Sequence, residues 1–456
     1  VAAYLRCANL ATLELSADEG ASWAAASAPT LGQVIRLQTR ANPGELGLHD
    51  AALHLWMGLF GDGLVAMRSL SAAAGTVAIL LVFMVVREVL ALGSTPRGDP
   101  PGSGVDELAG SDAELVAALA ALIFAVNLIT IKYSREARMY PLALALTLAQ
   151  VWFFARSLRV GAALDYACAA VLTALAVAAT FTASLILVPE GLYLALVLAE
   201  APARDWRRVV AVGSALGAGL LLTAPFVLLA TGLRGGAPNP RTWEWIPLPA
   251  LGAPITLFNK ATGTYGFPLL AILAASGVAR QWHWRRPALS FLLLWMFAPP
   301  VALIIVSYVI QPAFVERYLL ASFVPFFILA ALGLLELKPA ALRPGAVALV
   351  AAVALAHVVE WERKPHGVPF AEAASAAATG LAPADTIGVA PRYAANVIRY
   401  YLRDEQPPRS IGAADAQPPP TVVIIADTFD PVETAELVRR YPRPLARFDG
   451  VVVRGR

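Results

Sequence analysis

Residues 64–92 read LVAMRSLSAAAGTVAILLVFMVVREVLAL, an apolar run longer than the roughly 20 residues a helix needs to cross a bilayer. Further apolar runs lie near 1–15, 113–131, 139–156, 162–180, 182–199, 209–231, 264–279, 288–309, 319–336 and 345–360. Barrel-type alternation is absent, and a backbone in lipid has only helices or closed barrels open to it. The pattern predicts an all-α polytopic membrane protein with about eleven transmembrane helices. Composition agrees: 58% of the 456 residues are hydrophobic and 15% charged, against about 25% charged in ordinary soluble domains. A net charge of +3 without a basic stripe excludes a nucleic-acid binder.

The chain holds two cysteines, Cys7 and Cys168, both in apolar runs. They read as small buried hydrophobes, with neither a disulfide nor a metal pair expected. The opening apolar stretch reaches only to Leu15, short for a full span. No basic n-region or cleavage site marks it as a signal peptide.

Orientation follows from the loops. Arg87, Arg97, Arg156, Arg159, Arg204, Arg207, Arg208, Arg280, Arg285, Arg286, Lys338 and Arg343 crowd one alternating set of short connections, which marks that set as cytoplasmic. The other set is external: residues 16–63, 132–138, 232–263, 310–318 and everything after 360. Residues 93–112, rich in Gly, Pro, Ser and Asp, read as a flexible cytoplasmic connection. Residues 24–40 and 45–60 have roughly helical spacing and read as interfacial helices. The 232–263 loop, with Trp243 and Trp245, reads as a structured interfacial loop.

Beyond 360 the pattern changes. Thr386–Ala390 and Val422–Ala426 read as buried strands, Tyr393–Arg403 and Val432–Arg440 as helices, with a Pro-rich connection at 407–420. The expected organisation is a membrane module over 1–360, its first external loop at 16–63, and a small extracytoplasmic α/β domain over 361–456.

Several polar groupings on the external side could carry chemistry. Asp18 and Glu19 form an acidic pair after the first apolar stretch. Neighbouring residues do not share a helix face, so Asp18 is expected to point into a site as a general base, with Glu19 supporting it. The alternative is a polar helix boundary. Lys132-Tyr133-Ser134-Arg135-Glu136-Ala137-Arg138-Met139-Tyr140 places two arginines three positions apart between tyrosines, suited to clamping an anion or to an anchoring girdle. Glu316-Arg317-Tyr318 offers a second phosphate contact. His49, Asp50 and His54 invite a metal reading, but their spacing is a weak ligand signature, and a helix with a polar face is expected. Lys260 and Tyr265 suit a lipid headgroup or snorkelling anchors. His357 and His366 are weaker candidates.

Taken together, Asp18-Glu19 after a short span, Arg135-Glu136-Ala137-Arg138-Met139-Tyr140-Pro141-Leu142, and Arg317-Tyr318-Leu319 before an apolar proline-containing helix resemble bacterial family 39-like glycosyltransferases. These belong to the C-type polytopic superfamily, with protein mannosyltransferases and lipid A aminoarabinose transferases. The resemblance covers roughly 1–200 and 310–366. It implies a hexosyl- or pentosyltransferase of the bacterial inner membrane, using a polyprenyl-phosphate-linked sugar on the extracytoplasmic face. Asp18 and Glu19 would be catalytic; Arg135, Arg138, Arg317 and Lys260 would bind the donor phosphate; Tyr133, Tyr140, Tyr318, His49 and His54 would line the pocket. The acceptor would be a lipid, glycan or protein, and a divalent cation is possible, as in some relatives. Where the family carries His-Pro-Pro-Leu, this chain reads Asn42-Pro43-Gly44-Glu45-Leu46-Gly47-Leu48-His49, a departure that points to a different acceptor. A secondary transporter would instead show inverted repeats or broken midplane helices, and a non-catalytic assembly scaffold would leave the polar groups dispersed.

Overall fold

The computed structural model describes residues 1–42, 44–92, 104–200, 206–233, 246–250, 252–364, 366–379, 381–382, 385–404, 410–426 and 431–456. Two compact units emerge. One comprises Val1–Ala8, Asn42–His49 and Ser69–Arg363; the other comprises Asn9–Ala41, Asp50–Arg68 and Lys364–Arg456. In chain order the helices are α1 (Ala2–Cys7), α2 (Ala17–Ala26), α3 (Leu31–Ala41), α4 (Leu48–Phe60), α5 (Leu64–Leu90), α6 (Gly104–Val126) and α7 (Leu128–Ser134). They continue as α8 (Tyr140–Arg159), α9 (Ala163–Ala179), α10 (Leu187–Glu200), α11 (Trp206–Leu233), α12 (Ala253–Thr262), α13 (Gly266–Val309), α14 (Leu320–Leu335), α15 (Arg343–Glu362), α16 (Phe370–Ala378), α17 (Ala395–Tyr401) and α18 (Pro431–Arg440).

The first unit is a helical membrane bundle. Seven helical segments among the described residues are long and apolar enough to span, or eight if the bent pair Asp112–Val126 and Leu128–Ser134 is one span. The expected eleven is not reached, for three physical reasons. The opening stretch forms only the six-residue α1. α9 has 17 residues, short of a bilayer's thickness. The runs at 264–279 and 288–309 follow one another without a loop over Gly266–Val309 and so count as one segment, although the non-helical Arg285 (φ −126°, ψ 28°) divides them into two helices across a kink, two residues before Pro287, which supplies no N–H to the carbonyl one turn back. Residues 93–103 of the expected flexible connection lie outside the described residues, as do Trp243 and Trp245; from Gly104 the chain is already helical.

α14 is apolar all round and buried along nearly its whole length, the signature of a central helix. Phe327 meets Phe124 of α6 edge-on, while Phe323 and Phe326 meet Phe258 of α12. α13 approaches it closely through Gly333, where an added Cβ would collide with the Leu273 carbonyl, and through Gly277 against the Leu329 carbonyl. Small residues are what allow membrane helices to pack backbone to backbone.

The chain breaks by 60° between α6 and α7, and the break is hydrogen-bonded. Asn127 caps α7, accepting from the Ile129 N–H at 3.2 Å. Thr130 Oγ1 donates to the Phe124 carbonyl at 2.6 Å. The buried Arg6 guanidinium donates to the Ala125 carbonyl at 3.0 Å and to Thr130 Oγ1 at 3.1 Å, satisfying groups a helix end leaves open.

The second unit is α/β. A five-stranded sheet runs β2 (Ser410–Ala413), β1 (Thr386–Ala390), β3 (Val422–Ala426), β5 (Val451–Gly455), β4 (Arg443–Phe448). β1 is parallel to both neighbours, and β5 is antiparallel to β3 and β4. The two expected strands appear at their expected positions, and the expected helices are α17 and α18. Part of the Pro-rich connection forms the edge strand β2. The β4–β5 hairpin lies beyond the two expected strands; Asp449-Gly450 between Phe448 and Val451 is its two-residue turn signal, with Gly450 at φ 72°. In the same unit, α2 packs along α17: Trp23 meets Tyr400 edge-on at 5.3 Å, and Arg403 lies over Tyr400 at 4.0 Å while pairing with Asp62 at 3.2 Å.

Because Gly333 sits where backbones touch, Gly333→Val should destabilise the bundle by about 1–3 kcal/mol. Thermal unfolding of the detergent-purified chain should show the lowered midpoint, whereas the outward-facing Gly345→Val should leave it unchanged.

Candidate functional site

The acidic pair sits at the start of α2, and local sequence explains the geometry. Ser16 is the N-cap: its hydroxyl accepts from the Glu19 N–H at 3.2 Å, and Glu19 Oε2 accepts from the Ser16 N–H at 3.0 Å. This reciprocal capping box turns the Glu19 side chain back toward the helix start. There it meets Arg68, on the first turns of α5. Arg68 Nε donates to Glu19 Oε1 at 2.8 Å and Nη2 to Oε2 at 2.9 Å. The remaining guanidinium donors reach the carbonyls of Leu10 (2.7 Å), Leu13 (2.8 Å) and Glu14 (3.0 Å), so every donor of Arg68 is engaged. Both side chains are 1% exposed.

The pair is thereby split. Glu19 holds the loop, while Asp18 is half-buried one residue earlier, on the first turn, where the helix dipole favours negative charge. Tyr401 supports the same loop, donating to Glu14 Oε2 at 3.0 Å and accepting from the Leu15 N–H at 3.0 Å. Burial pushes its hydroxyl pKa up, so it remains a donor at neutral pH. His54, also in this unit, has Nδ1 2.7 Å from the Ala26 carbonyl.

In the bundle, the expected basic cluster resolves into two kinds of cation. Arg135 and Arg138 are buried and paired. Arg135 Nη1 lies 2.7 Å from Glu362, with Nε donating to the Leu5 carbonyl at 2.9 Å. Arg138 Nη2 lies 2.7 Å from the buried Glu45. Lys132 and Arg317 are only half-buried. Lys132 Nζ is 3.4 Å from Glu316 Oε1, which also accepts from the Tyr133 hydroxyl at 2.9 Å. Arg317 lies over the rings of Tyr140 and Tyr318, each at 5.9 Å, and Arg138 lies over Tyr140 at the same distance. Tyr133 and Tyr140 meet edge-on at 5.5 Å. The fold therefore gathers Lys132, Tyr133, Arg138, Tyr140, Glu316, Arg317 and Tyr318 across 184 residues of sequence. A guanidinium on aromatic faces and an accessible ammonium are a chemistry suited to a phosphate.

Lys260, in the last turn of α12, is exposed. His49 is buried in the first turn of α4. Among the described residues no group of three or more His, Cys, Asp and Glu could hold a metal ion. A cleft of about 420 Å³ in the α/β unit is lined by Ala371, Ala374, Ser375, Tyr401 and neighbours, none an expected site residue.

Sequence reading missed Arg68, Arg6, Glu45 and the Gln150–Glu190 hydrogen bond, 3.1 Å long and fully buried between α8 and α10. The available signal was a polar or ionisable residue within or beside an apolar run, which lipid tolerates only with a partner.

No family model and no curated protein matches the chain. Solved structures do resemble it. ArnT from Cupriavidus metallidurans in the apo state superposes with a TM-score of 0.67 at 15% identity, covering 99% of this chain and 95% of that one. The same protein bound to undecaprenyl phosphate gives 0.62 at 14%, covering 99% and 96%. The Archaeoglobus fulgidus oligosaccharyltransferase in complex with Zn and sulfate gives 0.58 at 11%, covering 96% and 68%.

The buried Glu19–Arg68 pair predicts a measurable division of labour. Glu19→Gln should destabilise the α/β unit by about 3–5 kcal/mol, the range for breaking a buried ion pair. Asp18→Asn should cost less than about 1 kcal/mol, as read by denaturant unfolding with a reporter in that unit. At these identities the likeness is one of fold: the chain shares the architecture of these solved structures.

Proposed function

We propose that this chain is a membrane glycosyltransferase that moves a sugar from a polyprenyl-phosphate donor to an acceptor hydroxyl on the extracytoplasmic face of a bacterial inner membrane. The observation that carries the reading is the cluster of Lys132, Arg317 and tyrosines assembled from distant sequence. It is supported by a fold shared with ArnT, whose structure has been determined with undecaprenyl phosphate bound. The order of the acidic pair and the Arg-Glu-Ala-Arg and Arg-Tyr-Leu motifs supports membership of the family 39-like group.

The chemistry is a single displacement. The acceptor O–H gives its proton to the Asp18 carboxylate as its oxygen bonds to the anomeric carbon. The bond from that carbon to the phosphate oxygen breaks, and its electron pair departs on the phosphate. Configuration at the anomeric carbon inverts. The leaving group departs as an anion, so the cations' task is to hold negative charge where it grows. Lys132 and Arg317 are assigned the donor phosphate. Arg135 and Arg138, sealed from solvent against their carboxylates, act by holding the turn that presents Lys132 and Tyr140. Glu19 positions Asp18 by fixing the α2 cap. The transporter reading is disfavoured at the break between α6 and α7, because the carbonyls there that could take a cation are occupied by the Arg6 guanidinium.

The test is sugar transfer by the purified full chain from a panel of polyprenyl-phosphate sugars. Asp18→Asn should reduce kcat by about 10²-fold or more while the protein stays folded; retention of most of the wild-type turnover would refute the base assignment. Lys132→Met and Arg317→Ala should raise the KM for donor about tenfold each, on the scale of a charged hydrogen bond. Unchanged donor saturation in both would return the cluster to an anchoring role.

A further inference from the structure

Resting on that donor reading, we infer that Glu316 is a charge-selecting residue: it sets the phosphate cluster to accept a singly charged phosphodiester and to release the doubly charged phosphomonoester product. Its single oxygen Oε1 is placed against both Lys132 Nζ and the Tyr133 hydroxyl, and it neighbours Arg317 in the chain. Glu316 therefore draws on two of the donors that would otherwise face a phosphate.

The charge inventory gives the reason. Arg135 is balanced by Glu362 and Arg138 by Glu45, while Lys132 is shared with Glu316. Glu136, on the same turn, adds its field at Tyr133. The positive charge in excess of these carboxylates is small. A polyprenyl-phosphate sugar is a diester with one negative charge, whereas transfer leaves a monoester that carries close to two above its second pKa of about 6. The second charge arises a few ångströms from Glu316 in a partly buried, low-dielectric setting, where like charges repel strongly. Glu316 thus penalises product more than donor, and clears the site after each turnover. A pyrophosphate-linked donor would be disfavoured on the same ground.

The experiment measures binding of polyprenyl phosphate and of a polyprenyl methyl phosphodiester to the full chain in nanodiscs at pH 8. Wild type, Glu316→Gln and Glu316→Asp are compared. The expected result is that Glu316→Gln tightens the monoester about tenfold and the diester only about threefold, with stronger product inhibition in turnover. Glu316→Asp, which keeps the charge, should retain the wild-type preference. Parallel loss of both affinities, or no change in their ratio, would overturn charge selection while leaving the donor reading intact. Failure of the wild-type chain to bind either lipid would overturn both.

Discussion

The acidic loop depends on one guanidinium. Arg68 uses all its donors at once, two on Glu19 and the rest on the carbonyls of Leu10, Leu13 and Glu14. An arginine on the first turns of an apolar helix cannot remain buried unless its charge and each N–H are met. The non-helical chain from Leu10 to Glu14 supplies carbonyls that no strand or helix uses, so each side satisfies the other. The capping box at Ser16 then fixes where α2 begins, and with it the position of Asp18.

The bundle applies the same rule to other cations. Arg6 fills the break between α6 and α7, Arg135 meets Glu362, and Arg138 meets Glu45. These buried arginines hold backbone and carboxylates at the ends of apolar helices, where water is scarce. Lys132 and Arg317 differ because they are partly exposed and rest on tyrosines and Glu316. Burial thus sorts five similar-looking basic residues into sealed cations and partly exposed ones. That sorting shifts weight within the proposed donor site from Arg135 and Arg138 to Lys132 and Arg317, and brings Glu316 in as its negative member.

Much of the architecture was legible in the chain. Long apolar runs without alternation admit only a helical membrane protein. Thr386–Ala390 and Val422–Ala426 are short β-branched runs bounded by turn residues, and both form buried strands. Span number was less legible, although hydropathy sees the runs at 264–279 and 288–309 as two, and the non-helical Arg285 between them does divide Gly266–Val309 into two helices across a kink. β4, whose side chains are largely exposed, carries no alternation that a reader of sequence could use.

The sequence by itself determined the class of fold, the polar groupings and their order, because hydrophobic length and motif spacing are local properties. Only the tertiary structure decided what each polar residue does. Asp18 and Glu19 are adjacent and chemically alike, yet one is sealed against Arg68 and the other is not. Arg138 and Arg317 both neighbour Tyr140, yet Arg138 is buried against Glu45 while Arg317 is only half-buried. A charge's role depends on the partner that balances it and on the water it retains. Both are set by residues up to hundreds of positions away, which only folding brings into contact.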